Sequence, residues 1–291
     1  MHVVVTGAGG NLGTKARAML ERADWCERIT AIDVVEGYAT GPKTTAVVAD
    51  LTDANDTRWI QPVRAADGAL HYASANPAPT SSWAESAKSF DMTANLLEQL
   101  GGDKPARFVF ASSNHAMGGY KDEPLPPGGK LRMETPQISG TRYWDGEMYR
   151  WGSAYGATKA LGERACAARA AATRGRITAV STRIGWCQRG ENLATTIMQS
   201  GGGDRNEPDA DVMARNLRWY RSMWLSNADH DRLMAAALTA DASKWPGPHI
   251  VVSGMSNNEG MPWDLDEARQ WIGYDPQDDI FAEFRKAGIA V

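Results

Sequence analysis

The chain has 291 residues, 43% of them hydrophobic, which is enough to bury one large core or a main domain with a smaller lobe. Its formal net charge is −4, with Lys and Arg spread along the chain, which argues against nucleic acid as a partner. No apolar run approaches the roughly 18 residues of a membrane span, and the three scattered cysteines (Cys26, Cys166, Cys187) support neither a disulfide framework nor a zinc site.

The chain opens on a strand, so no signal peptide fits; the expectation is a cytoplasmic protein with no membrane partner and no metal. Val3-Val4-Val5 reads as the end of a buried strand, followed by glycines at 7, 10 and 13 and a helical pattern through Leu12, Ala16, Met19 and Leu20. A pyrophosphate can sit on such a helix start only where no Cβ atoms obstruct the backbone. Gly7, Gly10, Asn11, Leu12 and Gly13 are therefore candidate cofactor contacts. Asp33 closes the next strand, Ile29–Ile32, at the spacing of about twenty residues expected for a ribose-binding acid. Its carboxylate suits both ribose hydroxyls and repels a 2′-phosphate, and Val34 and Val35 follow it rather than an arginine. NAD is thus expected over NADP.

Further along, Ala46–Ala49 is a short strand ending at Asp50-Leu51, where an acid can approach the adenine edge. A helix over 54–63 leads to the strand Gly68–Ala73. Its small-residue end, with Tyr72, Ala73 and Ser74, suits a backbone lying under the cofactor. Ser82–Gly101 reads as a helix with an apolar stripe of Trp83, Ala87, Phe90, Ala94, Leu97 and Leu100. The strand Arg107–Ala111, an Ala-rich helix over 153–173 and the strand Ile177–Thr182 follow. Beyond them come a helix at 228–240, a strand at 249–252 and helices at 262–272 and 281–287. This alternation implies an α/β fold, a Rossmann-type doubly wound parallel sheet. Residues 1–187 form the dinucleotide-binding part, and residues 188–291 a small C-terminal substrate lobe interleaved with the end of the sheet. The loop Ser253–Asn258 suits either closure over a substrate or a plain turn.

Two stretches carry chemistry. Ser112-Ser113-Asn114-His115 ends the strand that begins at Arg107, and Tyr155 and Lys159 share one helix face one turn apart. An ammonium near a phenol favours the phenolate, so Tyr155 is a candidate base, with Ser113 holding the reacting oxygen. These residues, with Thr6-Gly7-x-x-Gly10-x-x-Gly13 and Asp33, resemble the extended short-chain dehydrogenase/reductases of the NAD-dependent epimerase/dehydratase superfamily. Phe110–His115, Tyr155-Gly156-x-x-Lys159-x-x-Gly162-Glu163, Arg183-Ile184-Gly185-x-Cys187 and Trp224-Leu225-Ser226 are most similar to the uronate dehydrogenases, which oxidise C1 of a cyclic uronic acid with NAD. The likeness runs over most of residues 1–187 and returns in patches from Trp224 to about Pro276.

That resemblance implies that Ser113 and Tyr155 handle the substrate hydroxyl while Lys159 tunes Tyr155 and binds the nicotinamide ribose. It implies sugar contacts from Ser74, Asn114 and His115, although His115 equally suits a cap at a strand–loop junction. Arg218 and Arg221 flank the place of the relatives' carboxylate-binding arginine, and Trp186 stands where they carry a small serine. The stretches 118–152 and 188–215 are longer than in those relatives, the second being loop-like and polar, and Ser89 replaces a common asparagine. These departures widen the expected substrate from a uronic acid to other aldoses or a bulkier secondary alcohol. Relatives pair through two long helices, here 82–101 and 153–173, which implies a homodimer. The alternative activity is an epimerase that retains its NAD. A dehydratase lacks its acid and base here, and a redox sensor would lack the Tyr/Lys pair.

Overall fold

The computed structural model describes residues 1–193 and 207–289. Seven parallel strands form one sheet in the order β3-β2-β1-β4-β5-β8-β9, with β1 His2–Thr6, β2 Arg28–Asp33, β3 Thr44–Val48, β4 Gly68–His71, β5 Ala106–Ser113, β8 Ile177–Ile184 and β9 His249–Gly254. Residues of β1, β4 and β5 are buried throughout, as apolar parallel strands covered on both faces require. The order reverses between β1 and β4, and ligand-binding crevices form outside the carboxyl ends of the strands at such a point.

One face is covered by α1 (Asn11–Arg22), α6 (Asn227–Thr239) and α7 (Asp266–Ile272), and its core runs from Val3 to Tyr274. The other carries α2 (Thr57–Arg64), α3 (Trp83–Gln99) and α4 (Ala154–Ala172), packed through Trp59, Leu96, Phe108 and Cys166. A helix α5 (Ala210–Ser222), within and beyond the stretch expected to be loop-like, leads to α6, and α8 (Ile280–Lys286) closes against Trp224. The part of that stretch at 194–206 lies outside the described residues. Among the described residues no helix is long and apolar enough to cross a membrane.

One expectation needs correction, and two stretches left open take definite form. The inward face of α3 is Ser86, Ser89, Met92, Thr93, Leu96 and Leu97, whereas Trp83 is 64% exposed and Ala87 is exposed. Small polar residues face inward where α3 packs beside α4 and its buried lysine, so the expected stripe divides: Leu97 and Leu100 are buried, while Trp83 and Ala87 lie on the outer face. The long stretch after β5, in which no element is named from the sequence, contains an antiparallel hairpin, β6 (Thr141–Trp144) and β7 (Tyr149–Gly152), set between a 3₁₀ segment at Asn114–Lys121 and α4. Of the two readings of the 253–258 loop, the plain turn fits what is observed. Asn258 Nδ2 donates to the Ser222 and Trp224 carbonyls at 3.0 and 2.7 Å, and Ser256 and Asn258 are buried.

Candidate active site

The carboxyl ends of the strands gather the candidate residues at one edge. Gly7 has φ +66°, and a Cβ there would stand 2.7 Å from Ala73 N; a Cβ on Gly13 would stand 2.1 Å from Gly7 O. Only glycine fits at either place. Gly10 is the N-cap of α1 and no side chain caps the helix, so the amides of its first turn stay open to an anion. Asn11 Nδ2 donates to Cys187 O at 2.8 Å, which ties α1 to the end of β8, and Leu12 packs against the core. Asp33 Oδ2 accepts from Gly9 N at 2.8 Å, and Oδ1 accepts from Val34 N and Val35 N at 2.7 and 3.3 Å. A carboxylate offers about four acceptor positions, so there is room for about one further donor rather than two. Open helix amides, a floor without Cβ atoms and a rim carboxylate fit a dinucleotide.

The neighbouring candidates are held by the protein itself. Asp50 Oδ1 accepts from Thr52 N and Oγ1 at 2.9 and 2.8 Å, while Leu51 is buried and its carbonyl accepts from Asn95 Nδ2 at 2.8 Å. Asp50 is thus engaged in its own turn. The Tyr72 hydroxyl lies 3.2 Å from His230 Nε2, so its side chain points towards α6, and only its backbone lies along the strand end. Ala73 N lies 3.5 Å from Thr6 Oγ1, and Ser74 Oγ shares a 3.1 Å hydrogen bond with Ser89, whose hydroxyl also accepts from Ala75 N at 3.0 Å. Ser89, in place of the common asparagine, thereby pins this loop to α3.

At the end of β5, Ser113 is buried and its hydroxyl bonds the Tyr155 phenol. Ser113 Oγ also accepts from His115 N at 3.2 Å. Lys159 Nζ donates to Ala111 O at 2.6 Å and sits 5.7 Å from the Tyr155 ring centroid. Beside it lies a small void lined by Ser86, Ser89, Thr93, Phe110 and Thr158. Burial pushes the Tyr155 phenol up, with only the Ser113 hydrogen bond opposing it, and pushes the Lys159 ammonium down to about 8. The Tyr/Lys spacing alone therefore does not lower the phenol, because desolvation outweighs a lysine that does not touch the hydroxyl. Asn114 is buried; its Nδ2 donates to Ile184 O at 3.2 Å, and its Oδ1 has no partner. A buried acceptor left unpaired at this edge is poised for a ligand donor.

One turn beyond Lys159, Glu163 organises the whole edge. Its carboxylate accepts from Arg183 Nε and Nη2, both at 3.0 Å, from Ser112 Oγ at 2.6 Å and from Gln137 Nε2 at 2.7 Å. It links β5, α4, β8 and the loop before β6. The sequence carries both partners of this pair, but nothing in their spacing announces that they meet.

The remaining candidates sit further out. Trp186 is half-buried, edge-on to Tyr220 with centroids 5.9 Å apart, and packs against the Trp224–Phe284 cluster. Arg218 is exposed, its Nη2 near Gly260, and the Arg221 guanidinium lies 5.5 Å from the Phe284 ring centroid. Neither arginine makes a described hydrogen bond or ion pair with Ser113, Asn114, His115 or Tyr155. Sequence reasoning missed Thr141, whose hydroxyl lies 2.7 Å from His115 Nδ1.

The chain is 29% identical over 300 residues to an NAD-dependent glucose-6-phosphate dehydrogenase of Haloferax volcanii, covering 98% of this chain and 96% of that one. It superposes on a solved mutated uronate dehydrogenase with a TM-score of 0.70 and 25% identity, covering 98% of this chain and 84% of the other. A uronate dehydrogenase from Agrobacterium tumefaciens complexed with NAD shares the fold at a TM-score of 0.69 and 24% identity, with 98% and 88% covered. The model of the NAD dependent epimerase/dehydratase family matches residues 3–187, and with the uncapped glycine turn, Asp33 and the Ser113–Tyr155–Lys159 edge in place, the chain belongs to that family.

Proposed function

We propose that this protein is an NAD-dependent oxidoreductase that oxidises the hemiacetal hydroxyl of a sugar. One observation carries the reading: Ser113, Tyr155 and Lys159 meet beside the unpaired Asn114 Oδ1, on the same sheet edge as the open start of α1. The names of the relatives support it, since glucose 6-phosphate and a uronate are both sugars with an anionic group at carbon 6.

The helix amides of α1 hold the pyrophosphate and Asp33 a ribose hydroxyl. Bound NAD supplies the acceptor for the hydride leaving the carbon that bears the reacting hydroxyl. Ser113 Oγ holds that hydroxyl, and Tyr155 Oη takes its proton. The Lys159 charge favours the phenolate, and Asn114 Oδ1 accepts from a second sugar hydroxyl. The test is NADH appearance at 340 nm with glucose 6-phosphate, glucuronate, galacturonate, neutral aldoses and bulkier secondary alcohols. NADH production with a sugar, fastest with an anionic one, is expected. If every sugar is silent and tightly held NAD copurifies, the protein is an epimerase instead.

We also infer a homodimer formed through the outer faces of α3 and α4. These two helices pack together and leave Trp83 64% and Leu161 47% exposed. Sedimentation should show a two-chain species that Leu161→Glu dissociates; a monomeric wild type sinks the inference.

A further inference from the structure

The β6–β7 hairpin reaches the site through one hydroxyl, and its role rests on the sugar-oxidising reading above. The His115 ring stands edge-on to Tyr155, with centroids 5.7 Å apart. Its Nδ1 lies 2.7 Å from Thr141 Oγ1, and its Nε2 has no hydrogen-bond partner among the described residues. Desolvation pushes the imidazole pKa down to about 4, so near neutrality the ring carries a single N–H, on one nitrogen or the other.

Thr141 decides which. It is 1% exposed, and among the described residues the only partner of its hydroxyl is His115 Nδ1. Were Nδ1 protonated, Thr141 would have to accept, and its own O–H would be buried without an acceptor. Were Thr141 the donor, both groups would be satisfied. We propose that Thr141 is a positioning residue that holds His115 as the Nε2–H tautomer, so that the ring offers the substrate a hydrogen-bond donor.

The backbone supports this arrangement. Gly140 N donates to His115 O at 3.0 Å, so the base of the hairpin grips residue 115 by main chain and side chain together. A donor at Nε2 suits an oxygen that can only accept, and the ring oxygen of a cyclic hemiacetal is such an atom. A secondary alcohol without that oxygen leaves the donor unpaired. Thr141 thus acts on substrate choice through His115, from an element outside the dinucleotide site.

The test is a long-range ¹H–¹⁵N correlation spectrum of protein labelled at histidine, with the His115 signals identified by their loss in His115→Gln. The wild type and Thr141→Ser are expected to show Nε2–H alone, and Thr141→Val a mixture of tautomers. In Thr141→Val the KM for the sugar should rise about tenfold, as for one neutral hydrogen bond, with kcat less affected and Thr141→Ser near wild type. An Nδ1–H signal in the wild type, or a Thr141→Val population identical to the wild type's, overturns the proposal. The spectra require no turnover, so a protein with the stated tautomer that oxidises no sugar counts against the functional reading alone.

Discussion

Replacing Tyr155 by phenylalanine is expected to lower kcat by about 10²- to 10⁴-fold, the usual contribution of a positioned general base. The affinity for NAD, followed by fluorescence titration, should change little, because the α1 amides and Asp33 are untouched. Full turnover in this variant would remove Tyr155 from the proton-transfer role. The wild-type pH profile adds a second check. The productive pair is phenolate with ammonium, but burial raises the Tyr155 phenol and lowers Lys159 to about 8. Between those values one proton remains on the pair, and the productive form is a constant minority of it. The value of kcat/KM should therefore climb as pH rises to about 8, level off, and fall above the ordinary tyrosine range once both protons are gone. A profile flat from neutrality upwards contradicts this assignment.

The second large effect is on stability. Glu163 and Arg183 are each 4% exposed and joined by two 3.0 Å hydrogen bonds. Removing one member of a buried pair leaves the other charge uncompensated, typically at a cost of about 3–5 kcal/mol. Glu163→Gln is therefore expected to lower Tm by roughly 10 °C, taking about 2–4 °C per kcal/mol for a chain of this size. The double variant Glu163→Leu with Arg183→Leu should recover part of the loss, since neither charge is then stranded. Thermal melts followed by circular dichroism decide it, and an unchanged Tm in Glu163→Gln denies the carboxylate its organising place. Ser112 and Lys159 are neighbours of this carboxylate, one by hydrogen bond and one by helix turn, so kcat should fall with Tm.

Much of the site is legible in the sequence because its chemistry is local. A glycine turn, an acid at the end of the next strand and a Tyr/Lys pair one helical turn apart are constraints written over short stretches. The depth of burial is not local, which is why Tyr155 has a raised phenol rather than a lowered one. Helix α3 misled for a related reason. Its stripe points inward at Leu97 and Leu100, but nearer the start of the helix Ser86, Ser89 and Thr93 take the inward side beside Lys159. The hairpin did carry a signal, Asp145-Gly146 between two aromatic runs, with Asp145 Oδ1 accepting from Glu147 N and Met148 N. Arg218 and Arg221 both lie in α5, where position alone does not fix the direction of a side chain. A helix turns about 100° per residue, so a small register change sends a guanidinium to another face.

The hairpin also separates what is costly to change from what is cheap. Its base is pinned by Gly140 and Thr141 to His115, and by Gly152, where the backbone passes close to the Pro79 carbonyl. Its tip, around Asp145 to Met148, is exposed and pairs mainly with itself. Extending a chain segment whose ends are already fixed costs only loop-closure entropy, about 0.6 kcal/mol for each doubling of length. Residues can thus be added or removed at the tip without disturbing the sheet or the proton-transfer edge. Variation at the tip can change the outer surface of the hairpin while His115 and the proton-transfer edge stay the same.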